Sequence, residues 1–432
     1  MLFASTRGAS PAVGFSSALV QGLAPDGGLY VPQQWPQFAL DAWPAAAALP
    51  VLAEPLLQRF AEGDALVAQA GDIVRDAFNF PAPLVPLDET GHLSVLELFH
   101  GPTAAFKDFG ARFLAACMTR IRSGNPKVLR ILVATSGDTG GAVAAAFHRR
   151  PGIEVVVLFP KGLVSPTQER QLTCWGDNVT SLAVRGTFDD CQRLVKQAFL
   201  DPDLQATAEL SSANSINLGR LLPQAAYYVA TSLAVWRKHG QKASFIIPSG
   251  NLGNSVACLW ARQMGLPIGD IVLAHNANRT LPDYLQTGVL QPRPSIATLA
   301  SAMDVGNPSN LERMSQLYPD AAQLSQQLEA VSISDAQISA RIISDFATRG
   351  QVWCPHTATA AEAYEQLPAE RRASGRWVLV ATAHPAKFRE IVEPLIGQAV
   401  TVPENLRRLF ELPSQCTEID ATLDALRQVI AR

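Results

Sequence analysis

From about Ser94 onward one pattern recurs: a short apolar run, a loop of small polar residues, then an apolar stripe at helical spacing. Residues 128–134 (VLRILVA) form the clearest run and predict a buried strand. The loop 135–141 (TSGDTGG) follows, then an Ala-rich helix reaching His148. Residues 155–159 predict the next strand. Phe188, Cys191, Leu194, Val195 and Ala198 share one helical face. Thr187 is placed to cap that helix, with Asp190 in an acidic variant of the capping box. Residues 245–247 run into Pro248-Ser-Gly-Asn-Leu-Gly-Asn254 and another helix, and residues 271–274 and 377–381 predict further buried strands. Ile338, Ile342, Ile343 and Phe346 mark a late helix that stops at Gly350. Strands alternating with helices predict an α/β fold with parallel, helix-covered sheet, and ligands in such sheets sit at the carboxyl ends of strands. The first hundred residues break the pattern. They are rich in Ala and Pro and predict short helices joined by loops. No repeat of 20–50 residues is present.

Composition narrows the class. The chain has 432 residues, 48 % hydrophobic and 17 % charged, enough for two or three domains with real cores and too apolar for disorder. Lys plus Arg is 35 against 38 for Asp plus Glu, a net charge of −3. Without a basic excess, neither nucleic acid nor membrane is expected as a partner. No apolar stretch approaches the roughly 18 residues of a membrane span, and the first eight residues lack a signal pattern. The six cysteines stand apart with no C-x-x-C pair, so no metal site and no disulfide framework is expected. A cytoplasmic enzyme with reduced thiols fits these features.

Several chemistries are missing. No two glycines flank a single residue, which excludes G-x-G-x-x-G, and no Gly precedes a Lys, which excludes a Walker loop and disfavours a nucleotide kinase. There is no G-x-S-x-G elbow. What remains is small-residue loops feeding helices. Ser136-Gly-Asp-Thr-Gly140 and Ser249-Gly-Asn-Leu-Gly253 place backbone N–H groups beside a helix start, a geometry that binds phosphate or carboxylate; an ordinary capped turn would look the same. Asn214-Ser-Ile-Asn-Leu-Gly-Arg220 crowds amides, a hydroxyl and a guanidinium together, either as an anion clamp or as a polar turn. Lys107 lies between Phe106 and Phe109 at a helix start. An aromatic, partly dry setting lowers an amine's pKa and suits a Schiff-base lysine, although most lone lysines are surface residues.

Taken in order, these segments resemble the threonine synthase family of pyridoxal-phosphate enzymes, relatives of the tryptophan synthase β-subunit. The matching pieces are Gly22-Leu-Ala-Pro-Asp-Gly-Gly-Leu-Tyr-Val-Pro32, His100-Gly-Pro-Thr-Ala-Ala-Phe-Lys-Asp-Phe-Gly110 and Ala134-Thr-Ser-Gly-Asp-Thr-Gly140. Phe159-Pro-Lys-Gly-Leu-Val-Ser-Pro166, Asn214-Ser-Ile-Asn217, Pro248-Ser-Gly-Asn-Leu-Gly-Asn254, Ala302-Met-Asp-Val305 and Thr382-Ala-His-Pro-Ala-Lys-Phe388 continue the series. The likeness is to the bacterial and fungal branch with an added N-terminal domain. It implies a tryptophan synthase β-like fold in three units: residues 1–93, a small mobile α/β domain at 94–210, and a large cofactor-binding domain at 211–432. It implies that Lys107 holds pyridoxal 5'-phosphate as an internal aldimine and acts as catalytic base. Gly250, Asn251, Leu252, Gly253 and Asn254 would cradle the cofactor's phosphate, and Thr382 would face its pyridine nitrogen. Ser136, Gly137, Asp138, Thr139, Asn214, Ser215 and Arg220 would hold the carboxylate and phosphate of O-phospho-L-homoserine. The products would be L-threonine and phosphate, from a monomer or weak homodimer.

Two departures from the wider superfamily carry expectations. Asp138 stands where many relatives have Asn, so its carboxylate should be protonated or turned away. The phosphate loop is short of glycines, so the side chains of Asn251 and Asn254 should serve as extra donors. Two rivals share much of this pattern. One is a phospho-lyase that releases a 2-oxo acid; the other is a non-catalytic binder of phosphometabolites, which retention of Lys107 argues against.

Overall fold

A computed structural model describes residues 1–44 and 47–430. The N-terminal part pairs β1 (Phe3–Ser5) with β2 (Tyr30–Pro32) antiparallel and adds helices Phe15–Gln21, Leu49–Phe60 and Ala70–Ala77. The chain then enters β3 (Leu84–Pro86) and β4 (Leu93–Glu97). Next come β5 (Leu129–Ala134), β6 (Ile153–Pro160), β7 (Val179–Arg185) and β8 (Glu209–Ser211). The last group is β9 (Ala243–Pro248), β10 (Ile268–His275), β11 (Glu329–Ser332), β12 (Arg376–Ala381) and β13 (Thr417–Asp420).

These build two larger sheets. One has the order β11-β10-β9-β12-β4-β3, parallel except for β3 at its edge. The other is wholly parallel, β13-β7-β6-β5-β8. Both faces of each are covered, and each strand sends alternate residues to opposite sides. Phe245 and Ile247 of β9 enter a central core while Ile246 enters the core beyond the sheet. Ile131 and Val133 of β5 enter the same central core, and Leu132 faces a third cluster. The central core therefore lies between the two sheets, with helix Lys107–Ile121 and the N-terminal helices packed into it.

The predicted helices form with the expected signals. Thr187 and Asp190 make a reciprocal capping box at Phe188–Phe199. Helix Asp335–Arg349 ends on Gly350 at φ 66°, the left-handed geometry that favours glycine. Two crossings are absent from the apolar pattern. β4 joins the sheet of β12, and β13 returns from the far end of the chain to pair with β7. Among the described residues no helix is long and apolar enough to cross a membrane, and no His, Cys, Asp or Glu cluster is placed to hold a metal ion.

Candidate active site

Lys107 opens helix Lys107–Ile121 at the carboxyl end of the β4 connection. The segment before it is zipped to the loop after β12. Phe106 N–H donates to the Thr382 carbonyl at 2.8 Å, His384 N–H to Ala104 O at 3.0 Å, and Ala105 bridges Ala383. Ala104 takes φ 53°, unusual for a residue with a side chain and held by those bonds. Farther along the helix, Gly110 lies against the Arg220 backbone. A Cβ there would come within 2.4 Å of Arg220 O. This close approach brings Arg220 and Lys107 into each other's electrostatic field. Lys107 is half-buried. Burial pushes its amine down to about 8; Asp138 opposes that shift, while Lys387 and Arg220 add to it.

The loop after β9 forms an anion cup. Leu252 adopts φ 64° and caps helix Gly253–Gln263, and the backbone N–H groups of Gly250, Asn251, Leu252, Gly253 and Asn254 make no hydrogen bond among the described residues. The Oδ1 of Asn254 accepts from Tyr227 at 2.5 Å and Tyr228 at 2.8 Å, which leaves its buried Nδ2 without a partner. A bound phosphate would supply that missing acceptor, and with it the cup fits pyridoxal phosphate. Asn251 spends part of its hydrogen-bonding capacity on other loops. Its Nδ2 donates to Ser215 Oγ at 2.7 Å and its Oδ1 accepts from Ser309 N–H at 2.7 Å. It ties the cup to the 214–217 loop, leaving its backbone N–H and the second Nδ2 hydrogen for an anion. The buried Thr382 takes no hydrogen bond through its hydroxyl.

The loop after β5 forms a second cup. Thr135 Oγ1 accepts from the N–H groups of Gly137 and Gly140 at 3.0 and 2.9 Å. Among the described residues the N–H groups of Ser136, Asp138 and Thr139 have no partner, nor do the Ser136 and Thr139 hydroxyls. Gly137 takes φ 142° because the side chain of Gln168 occupies the space where a Cβ would go. Of the two states expected for Asp138, the surroundings oppose the protonated one. Burial alone would raise its pKa, but Lys387 and Lys107 outweigh burial and hold it well below the usual carboxylate range. Lys387 Nζ lies 2.9 Å from Asp138 Oδ1, and Gln168 Nε2 donates to the same oxygen at 3.2 Å.

Arg220 is buried on the short helix Leu218–Leu221. It donates to the Ala213 carbonyl, its Nε has no partner, and burial lowers its pKa to about 10, still charged. The side chain of Asn214 is also unpaired, and Ser215 Oγ keeps its hydrogen free while accepting from Asn251. These unspent donors share one stretch of chain with Arg220, which acts electrostatically on Lys107.

Four supporting residues have roles that the sequence did not assign to them. Lys387 is fully buried and also donates to Thr103 O at 2.8 Å. Arg313 donates to Tyr30 O at 3.1 Å, Asn310 Oδ1 at 2.7 Å and Ile216 O at 2.7 Å. Asn310 in turn donates to Asn251 O at 3.0 Å. His356 accepts from Ala302 N–H at 3.0 Å through Nε2, and burial lowers its pKa to about 4, so its proton sits on the unpartnered Nδ1. Of these only Lys387 stood in a segment with a sequence signal, the 382–388 stretch.

Comparison with known proteins agrees with this geometry. The family model described as "Pyridoxal-phosphate dependent enzyme" matches residues 77–383. "Threonine synthase N terminus" matches residues 2–78, and "Threonine synthase, C-terminal" residues 357–430. The chain is 40 % identical to threonine synthase of Haemophilus influenzae, covering 97 % of each chain, and 37 % identical to that of Escherichia coli, covering 97 % and 96 %. The structure superposes on pyridoxal-phosphate-bound threonine synthase from Brucella melitensis with a TM-score of 0.91 at 34 % identity, covering 99 % and 98 %.

Proposed function

The chain belongs to the threonine synthase family of pyridoxal-phosphate-dependent enzymes, and from that premise we propose which residues perform each part of the reaction. The reaction is conversion of O-phospho-L-homoserine and water to L-threonine and phosphate by a pyridoxal-phosphate-dependent lyase. When bound, the cofactor supplies an electron sink for charge developing on the substrate carbons.

Lys107 would hold the cofactor and would carry protons to and from the substrate's α- and β-carbons. An amine near 8 is neutral often enough at neutral pH to act as base and basic enough to take a proton. The free N–H groups and Asn254 of the cup at 250–254, after β9 of the six-stranded sheet, would hold the cofactor's phosphate, and Thr382 would face its ring nitrogen. A neutral hydroxyl there leaves the ring a moderate sink. The 136–139 cup receives the substrate carboxylate on N–H and hydroxyl donors. Arg220, Asn214 and Ser215 receive the substrate phosphate and stabilise its charge as it leaves. What carries this reading is a lysine of lowered pKa that feels both Asp138 of one unsatisfied N–H cup and Arg220, whose loop is tied to the other cup through Ser215 and Asn251.

The test is incubation of the purified protein with O-phosphohomoserine and identification of products. Threonine with an equimolar amount of phosphate is expected; phosphate with a 2-oxo acid would select the phospho-lyase instead. The same proposal keeps the three units 1–93, 94–210 and 211–432, testable by limited proteolysis. It also holds that the chain works in the cytoplasm as a monomer or weak homodimer. Light scattering tests the oligomeric state.

A further inference from the structure

Lys387 is a second lysine at this site, and no step above uses it. Its ammonium is fully buried and has two partners, Asp138 Oδ1 at 2.9 Å and Thr103 O at 2.8 Å. These belong to three separate parts of the fold. Lys387 follows β12 of the six-stranded sheet, and Asp138 opens the helix after β5 of the five-stranded sheet. Thr103 lies on the segment leading into Lys107 and fixes Asp108 through its N–H and hydroxyl at 2.8 and 2.7 Å. A buried ion pair gains little over an apolar replacement in stability alone. Its consequence lies in the field it creates around the neighbouring amine.

We propose that Lys387 is a positioning residue: its ion pair with Asp138, made across the junction of the two sheets, matches that carboxylate so that Asp138 does not capture Lys107. The groups acting on Lys107 are Asp138, which favours its charged form, and Lys387 and Arg220, which oppose it. Asp138 faces Lys387, Lys107 and a neutral His356. Asp108, the other buried carboxylate, is held by Thr103 and answers to Lys387 and Arg112. Without Lys387, the buried Asp138 charge has Lys107 as its nearest ammonium partner. The nitrogen of Lys107 then keeps its proton to higher pH, and the base is weakened.

The proposal rests on Lys107 being the cofactor lysine, which Lys107→Ala tests separately by loss of the bound cofactor's visible absorbance band. Given that band, the experiment is its pH titration in the cofactor-loaded protein for wild type, Lys387→Met, Asp138→Asn and the double variant. Lys387→Met should raise the midpoint by about one unit or more, a tenfold shift in proton affinity. The double variant, with both charges gone, should return toward the wild-type midpoint, and Lys387→Arg should stay near it. An unchanged midpoint in Lys387→Met overturns the proposal. So does a double variant shifted as far as the single, which is what a purely packing role predicts. Should Lys387→Met fail to fold, the double variant decides. Recovery of the fold with a near-normal midpoint supports the pairing, and a double variant as unstable as the single overturns it.

Discussion

Lys107 and Arg220 show how a single side chain takes its chemistry from its surroundings. An exposed lysine at 10.5 is neutral at pH 7 in roughly one molecule in 3,000; at about 8 the fraction is roughly one in ten. The base form is lost on acidification, so kcat should rise with pH toward a plateau above about 8. A profile flat from about pH 6.5 to 9 would assign the base elsewhere. Lys107→Ala should remove both the cofactor's lysine-bound absorbance and turnover, as spectra and product assays on the same preparation will show. Arg220 is a charged donor with an unspent Nε. Arg220→Ala should cost about 2–4 kcal/mol of transition-state stabilisation. That is roughly a 30- to 1,000-fold loss in kcat/KM, with cofactor affinity retained. Arg220→Lys should recover only part, because the planar fork is lost. Steady-state kinetics with a cofactor titration separates this from a solvated arginine, whose removal would leave both unchanged.

Among elements, helix Lys107–Ile121 is held at its distance from Leu218–Leu221 by Gly110. Gly110→Ala pushes a methyl against the Arg220 carbonyl, and backbone cannot rotate away as a side chain can. The expected cost is about 1–3 kcal/mol in unfolding free energy, with a fall in kcat/KM because the same shift moves Lys107. Denaturant titration and kinetics on one variant check both. The strands legible in the sequence were those buried on both faces, such as β5, β9 and β12, whose apolar residues run consecutively. Those that were not legible lie at edges or mix polar residues, as in Glu329–Ser332 and Thr417–Asp420, where one face meets solvent and the run is broken. The site followed the same division. The N–H cups are local, so their small residues announce them. The Lys387–Asp138 pair and the two backbone-carbonyl contacts of Arg313 join distant segments, and no local spacing encodes them. The tie from Asn251 to Ser215 was illegible for the same reason: the two belong to different loops.

For the whole molecule, Arg313 connects β2 of the N-terminal part to the substrate loop and, through Asn310, to the phosphate cup. Arg313→Met should leave these acceptors unpaired at a cost of about 2–5 kcal/mol, seen as a lower thermal midpoint. It should also raise KM for substrate more than it weakens cofactor binding, since Ile216 borders Asn214 and Ser215 directly. Equal kinetics with lowered stability would show that the N-terminal part supports the fold without reaching the site. The return of β13 to β7 has a consequence of another kind, in the order of synthesis. β7 leaves the ribosome roughly 230 residues before its edge partner, and at about 5–20 residues per second that edge stays bare for roughly 10–50 s. A parallel edge of this length is a template for another nascent chain. Newborn chains therefore pass through a window in which crowding on one messenger, slow codons before residue 417, or premature termination favours aggregation over folding.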